Sequence, residues 1–250
     1  MSDRKLIQIY LLGTFGITYF AWWIIVLLNQ VGYLKAGTIA FWPVYTTGGL
    51  ASTLMGIILA IKTERNSGIL SVIGTAFYIK QPIKYYGLIL MFFIISFGRP
   101  SEISKWYVGI IYVFYMIFFG GLEEIGWRYI FQPTLEKHLP YWLASSITAI
   151  LWAMWHLPLF FIDGMNKSSS FDLFVLGVLG MAFMLGAIYR ISGSLWLCVL
   201  FHTMINAFSQ VWKSPTYTNN EFVSYLILTF IKISISVVFV YLVDKRKAKN

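Results

Sequence analysis

The chain has 250 residues, of which 58% are hydrophobic and only 12% charged, and its mean hydropathy is +0.72. An ordinary soluble domain is about 45–50% apolar and about 25% charged, so a water-soluble globule is excluded and a membrane protein indicated. The formal net charge of +9 sits in short loops, which makes it a topology signal with a role toward anionic lipid, and a poor fit to nucleic-acid binding. The single cysteine, Cys198, excludes an internal disulfide and any multi-cysteine metal site.

Crossing about 30 Å of hydrocarbon takes roughly 20 apolar residues, and runs of that kind recur along the whole chain. The first, 7–28, follows "MSDRK" but is too long for a signal peptide and lacks a small-residue cleavage site, so it is expected to stay as an anchor. Further spans are expected at 39–61, 83–98, 106–127, 141–162, 172–190, 194–212 and 222–243, about eight in all. The segment 68–80 is too short to cross and reads as an interfacial or bent piece. The expected architecture is thus all-α: a single integral membrane domain over 1–250, a polytopic helix bundle with its polar clues between about 106 and 212.

With about eight spans both termini share one side. That side holds Arg4, Lys5, Lys62, Arg65, Arg128, Lys137, Arg190, Lys245, Arg246, Lys247 and Lys249, against Lys35, Arg99, Lys105, Lys167 and Lys213 opposite. The bias places both termini in the cytoplasm of a multi-pass cell-membrane protein.

Polar residues inside apolar runs are costly and face a bundle interior or a wet cavity. They are Glu123, Glu124 and Arg128 in "GGLEEIGWRYIF", His156 in "ILWAMWHLPLFF", and His202 with Asn206 in "SLWLCVLFHTMINAF". Glu124 and Arg128 stand at i and i+4, the spacing of an ion pair. Glu123 points about 100° away on a regular helix and is the carboxylate left for chemistry. His202 and Asn206 also stand at i and i+4, which stacks an imidazole and an amide on one face.

Each of these has a plain structural reading. The ion pair can be merely stabilising, His156 a hydrogen-bonded core residue, Asn206 a bond between spans, and Cys198 a small packing residue without an activating base. Trp152, Trp155 and Phe160 read as packing or lipid-facing aromatics. Together, however, an acid, two imidazoles and an amide donor on three runs are the parts of an acyl-transfer site with water as nucleophile.

The segments "EEIGWR", "WAMWH" and "HTMIN" resemble, in order, the three signature motifs of the CAAX protease and bacteriocin-processing family: EExxxR, an aromatic followed three residues later by His, and HxxxN. Trp152 stands where many members have Phe. The resemblance implies a glutamate-dependent intramembrane endopeptidase with about eight helices around a conical cavity. By motif position, Glu123 and His156 would activate a water, His202 and Asn206 would hold the oxyanion, and Glu124 with Arg128 would support the site. No cofactor or metal is implied. The implied partners are the lipid bilayer and a membrane-embedded or membrane-associated peptide substrate, prenylated or of leader type, and the surrounding sequence resembles bacterial members.

Two other readings stand beside it. A zinc-dependent protease would use Glu123, His156 and His202 as ligands, although the H-E-x-x-H pattern of such enzymes is missing. A non-catalytic immunity or scaffold protein would use the polar cluster only to hold spans together. At about 1.5 Å per residue, His202 falls in the cytoplasmic half of its run but His156 lies more than halfway along its own. A cavity open to the cytosol is the expectation that reconciles them.

Overall fold

The computed structural model describes residues 1–98, 106–164 and 170–248. Arg99, Lys105, Lys167 and Lys249 of the charge count lie outside the described residues. The architecture is all-helical, and each expected span corresponds to helix. The elements are α1 (Asp3–Gln30), α2 (Phe41–Gly49), α3 (Ala51–Lys62), α4 (Ile69–Ala76), α5 (Ile83–Phe97), α6 (Trp106–Met116), α7 (Gly121–Leu135), α8 (Tyr141–Trp155), α9 (Phe171–Ser192), α10 (Leu195–Ser209) and α11 (Glu221–Lys247).

The count of about eight full spans does not emerge from helix length. Among the described residues, four helical stretches are long and apolar enough to cross a membrane: α1, α8 with its continuation to Phe161, α9 and α11. Two bent pairs raise this to six, α2 with α3 at 42° and α6 with α7 at 43°. The 15-residue α5 and α10 reach only about 22 Å at 1.5 Å per residue, short of the hydrocarbon thickness. The eight-residue α4 is shorter still, in keeping with the expectation for 68–80.

Both bends fall at paired glycines, where helices lose propensity and neighbours can intrude. At Gly48 and Gly49, Thr18 Oγ1 donates to the Gly48 carbonyl at 2.7 Å and Trp22 Nε1 to the Tyr45 carbonyl at 2.9 Å. These side chains of α1 take carbonyls near the end of α2. At Gly120 and Gly121 the chain leaves α6 and re-enters helix through a 3₁₀ turn, Gly121–Glu123, followed by one α turn and a π turn over Trp127–Phe131. Such π segments concentrate at functional sites.

The interior is built around α9, packed on α8 and α11, with α10 against α6 and α1 against α2 and α3. Large apolar side chains also face outward, Leu12, Phe20 and Phe230 each more than two-thirds exposed. That pattern suits a surface solvated by lipid, where the bundle gains nothing by hiding hydrocarbon. α3 crosses α7 at van der Waals distance: a Cβ on Gly56 would stand 2.7 Å from the Gly126 nitrogen, and one on Gly126 would stand 2.5 Å from the Ser52 carbonyl oxygen. Only glycine permits that approach.

Candidate active site

The break between α6 and α7 places two adjacent carboxylates in different surroundings. Glu123 ends the 3₁₀ turn, buried to 7% exposure, and its Oε2 accepts from Trp152 Nε1 of α8 at 3.0 Å. Glu124 opens the next turn, fully buried. Its Oε1 lies 2.7 Å from His202 Nδ1 of α10, and its Oε2 lies 3.3 Å from Arg128 Nε. The i,i+4 ion pair is therefore present. A carboxylate has no proton to give, so His202 Nδ1–H is the donor.

Arg128 is fully buried, with its guanidinium over the Trp152 ring at 4.5 Å. None of its nitrogens makes a well-aligned hydrogen bond among the described residues. Its charge is thus compensated by Glu124 and by the face of Trp152. Arg128 consequently does not belong in the loop-charge count: it reports on the site, not on the side of the membrane. Trp152, read from sequence as a packing aromatic, is buried to 2% exposure and touches both Glu123 and Arg128.

His156 caps the C-terminal end of α8 and is half-buried among Trp155, Trp22 and Phe174. Its Nδ1 lies 2.9 Å from the Trp152 carbonyl. A carbonyl only accepts, so the proton sits on Nδ1 and the Nε2 lone pair is turned away from the backbone. Glu123 and His156 line one small cavity of about 30 Å³, together with Trp22, Tyr45, Phe119 and Leu159. A polar cavity needs roughly 10–15 Å³ to hold a water.

His202 and Asn206 meet at Gly120. A Cβ there would lie 2.4 Å from Asn206 Nδ2 and 3.2 Å from His202 Nε2, so both nitrogens reach the backbone immediately before the 3₁₀ turn. The residues singled out from sequence therefore form two connected groups: Glu123, Trp152 and His156 on one side, and Arg128, Glu124 and His202, with Asn206 one turn on, on the other. Cys198 is buried beside the Leu185 carbonyl at 3.6 Å. His138 pairs instead with Asp3 at the surface. Among the described residues, no three His, Cys, Asp or Glu side chains converge as metal ligands would.

Two contributors escaped the sequence reading. Tyr10 OH and Ser52 Oγ are 2.8 Å apart, and Ser52 Oγ donates to the Glu123 carbonyl at 3.0 Å. This buried chain ties α1 and α3 to the backbone of Glu123. A signal existed: Tyr10, Thr14 and Thr18 recur at intervals of four along an otherwise apolar helix, a polar stripe turned inward.

No curated protein matches the chain at a significant level. Residues 105–208, which carry all three motifs, match the family model described as type II CAAX prenyl endopeptidase, Rce1-like.

Proposed function

We infer that the protein is an intramembrane endopeptidase that cleaves a membrane-associated peptide by a water activated between Glu123 and His156. The observation that carries this reading is their shared cavity, large enough for a water and walled by aromatic side chains. Trp152 holds Glu123 Oε2, which leaves Oε1 as the proton acceptor. The water oxygen attacks the scissile carbonyl carbon as its proton passes to Glu123. His156, with Nδ1–H fixed by the Trp152 carbonyl, offers Nε2 as a second proton-transfer group.

The negative charge that develops on the carbonyl oxygen is received on the other side of Gly120. Asn206 Nδ2 donates directly. His202, whose Nδ1–H is engaged by Glu124, donates from Nε2 when that nitrogen also carries a proton. Fixed donors of this kind are worth about 2.7–4 kcal/mol each in well-studied hydrolases. Collapse of the tetrahedral intermediate breaks the C–N bond, and the proton held by Glu123 or His156 goes to the leaving amine. Arg128 balances Glu124 and thereby keeps His202 oriented.

The test is proteolysis by purified protein in liposomes, read by mass spectrometry of membrane peptides. Wild type should give a cut that Glu123→Gln abolishes while substrate still binds, and the cut should survive a strong chelator. Retained cleavage by Glu123→Gln overturns the assignment. Loss on chelation brings back a metal-dependent reaction.

A further inference from the structure

Depth within the bundle can be read along α1, because α8 runs parallel to it. At one end, the Asp3 carboxylate bonds Lys137 at 2.7 Å and His138 at 3.0 Å, just before α8 begins. Further along, Trp155 Nε1 donates to Thr18 Oγ1 and Tyr19 OH to the Met154 carbonyl, both at 2.6 Å. At the far end, Asn29 and Asp163 exchange bonds of 2.7 and 3.3 Å. Asp3 and Asn29 are about 39 Å apart at 1.5 Å per residue.

The C-terminal end of the chain lies at the Asp3 end. Arg190 bonds Asp244 at 2.8 Å and Glu136 at 2.6 Å, and Glu136 adjoins the Lys137 that holds Asp3. Lys84 shares a groove there with Arg246 and Lys247. With Arg4 and Lys5, this is the basic end of the bundle. The opposite end carries Lys35 and Lys213 among the described residues.

The catalytic cavity is closed toward the basic end. Tyr10, Trp127 and Phe131, each at most 1% exposed, pack ring on ring with centroids 5.3–5.6 Å apart. The Gly56–Gly126 crossing and the Tyr10–Ser52–Glu123 bonds seal the same side. Toward the Asn29 end the walls are different: Tyr45, Thr46 and Leu159 are half-buried, and Phe118 is 58% exposed. His156, at the C-terminal end of α8, and Trp22, about two-thirds along α1, belong to that half. This runs against the expectation of a cavity opening on the side that holds the termini.

We propose that the cleft is entered from the membrane face opposite the two termini, and that its substrate is a peptide segment on the non-cytoplasmic face. The first half rests on the placement of the cavity walls. The second adds the rule that the lysine- and arginine-rich end faces the cytoplasm, and it rests on the endopeptidase reading above. A substrate of this class is an exported peptide, or an extracytoplasmic stretch of another membrane protein, whose apolar side chains lie against Tyr45 and Phe119.

Single cysteines in a Cys198→Ala background, labelled with a membrane-impermeant maleimide in intact cells and in inverted vesicles, test both halves separately from catalysis. Thr46→Cys and Leu159→Cys report the cleft, and Ala248→Cys reports the C-terminal end. The cleft thiols should be labelled in intact cells and Ala248→Cys only in inverted vesicles. Labelling of cleft and tail from the same side, or of neither cleft thiol from the face opposite the tail, overturns the direction of entry. Opposite sides with the tail outside keeps the direction and overturns the extracytoplasmic substrate. Because no cleavage is read, failure of the endopeptidase reading appears separately, as retained cleavage by Glu123→Gln.

Discussion

The indole of Trp152 bonds Glu123 through its N–H at 3.0 Å and covers the Arg128 guanidinium with its ring face at 4.5 Å. One side chain of α8 thus orients the proposed base and shields the cation that balances its neighbour. Trp152→Phe retains the ring and removes the bond. Hydrogen bonds to charged groups contribute about 1.5–3 kcal/mol, so turnover should fall by roughly ten- to a hundredfold with KM nearly unchanged, while thermal stability shifts little. Steady-state kinetics beside a melting curve checks this, and an equal rise in KM would mean that Trp152 contacts substrate.

Arg128 and Glu124 should behave as a unit. Arg128→Ala leaves a fully buried carboxylate without its cation, a change that costs about 3–5 kcal/mol in comparable sites. The variant should accumulate and melt well below Glu123→Gln. Adding Glu124→Gln should restore much of the stability without restoring activity, and a double-mutant cycle in detergent measures the coupling.

The oxyanion side is tested by two substitutions at one place. Asn206→Ala should lower kcat by roughly 10²–10³ with little effect on KM, as for other oxyanion donors. Gly120→Ala inserts a methyl 2.4 Å from Asn206 Nδ2 and must push the amide aside. It should reproduce the kcat loss with the amide still present. Wild-type rates in both would move oxyanion binding to His202 or to the backbone.

In the proposed mechanism Ser52 acts through Glu123, not on substrate. Ser52→Ala removes the donor to the Glu123 carbonyl and leaves Tyr10 OH without its partner. Stability should drop by about 1–3 kcal/mol and kcat should fall with KM unchanged. Ser52→Thr, which keeps the hydroxyl, should recover part of the rate. A purely structural role predicts lower stability with the rate per folded molecule intact.

Much of this was legible in the sequence because hydrocarbon is an unforgiving solvent for polar groups. Every expected run became helix, and the six motif residues stood out as the polar exceptions within them. The bends in α2–α3 and α6–α7 were hidden, since average hydropathy does not register a paired glycine whose carbonyl is taken by Thr18 from another helix. The expected bounds of 83–98 and 194–212 lie close to those of α5 and α10, but hydropathy marks a run as apolar without guaranteeing the length to cross, and at 15 residues each both helices fall short. Arg128 was misread as a loop charge because its position near a run's end resembles a flanking cation, whereas α7 continues to Leu135. The Glu124–His202 bond and the Ser52 support join residues 78 and 71 positions apart, beyond any local periodicity.

The crossing of Gly56 on Gly126 bears on how this site can be transplanted. The family match begins at residue 105, yet the groove that receives the motif helix is cut by a glycine 49 positions earlier, a separation read from 105 and 56. A chimaera that moves 105–208 into a foreign bundle carries the motif side chains but not the notch into which their backbone fits. It will hold its geometry only where the host offers a side-chain-free position at the same height, so exchange between relatives should succeed when the first three helices travel with the motifs.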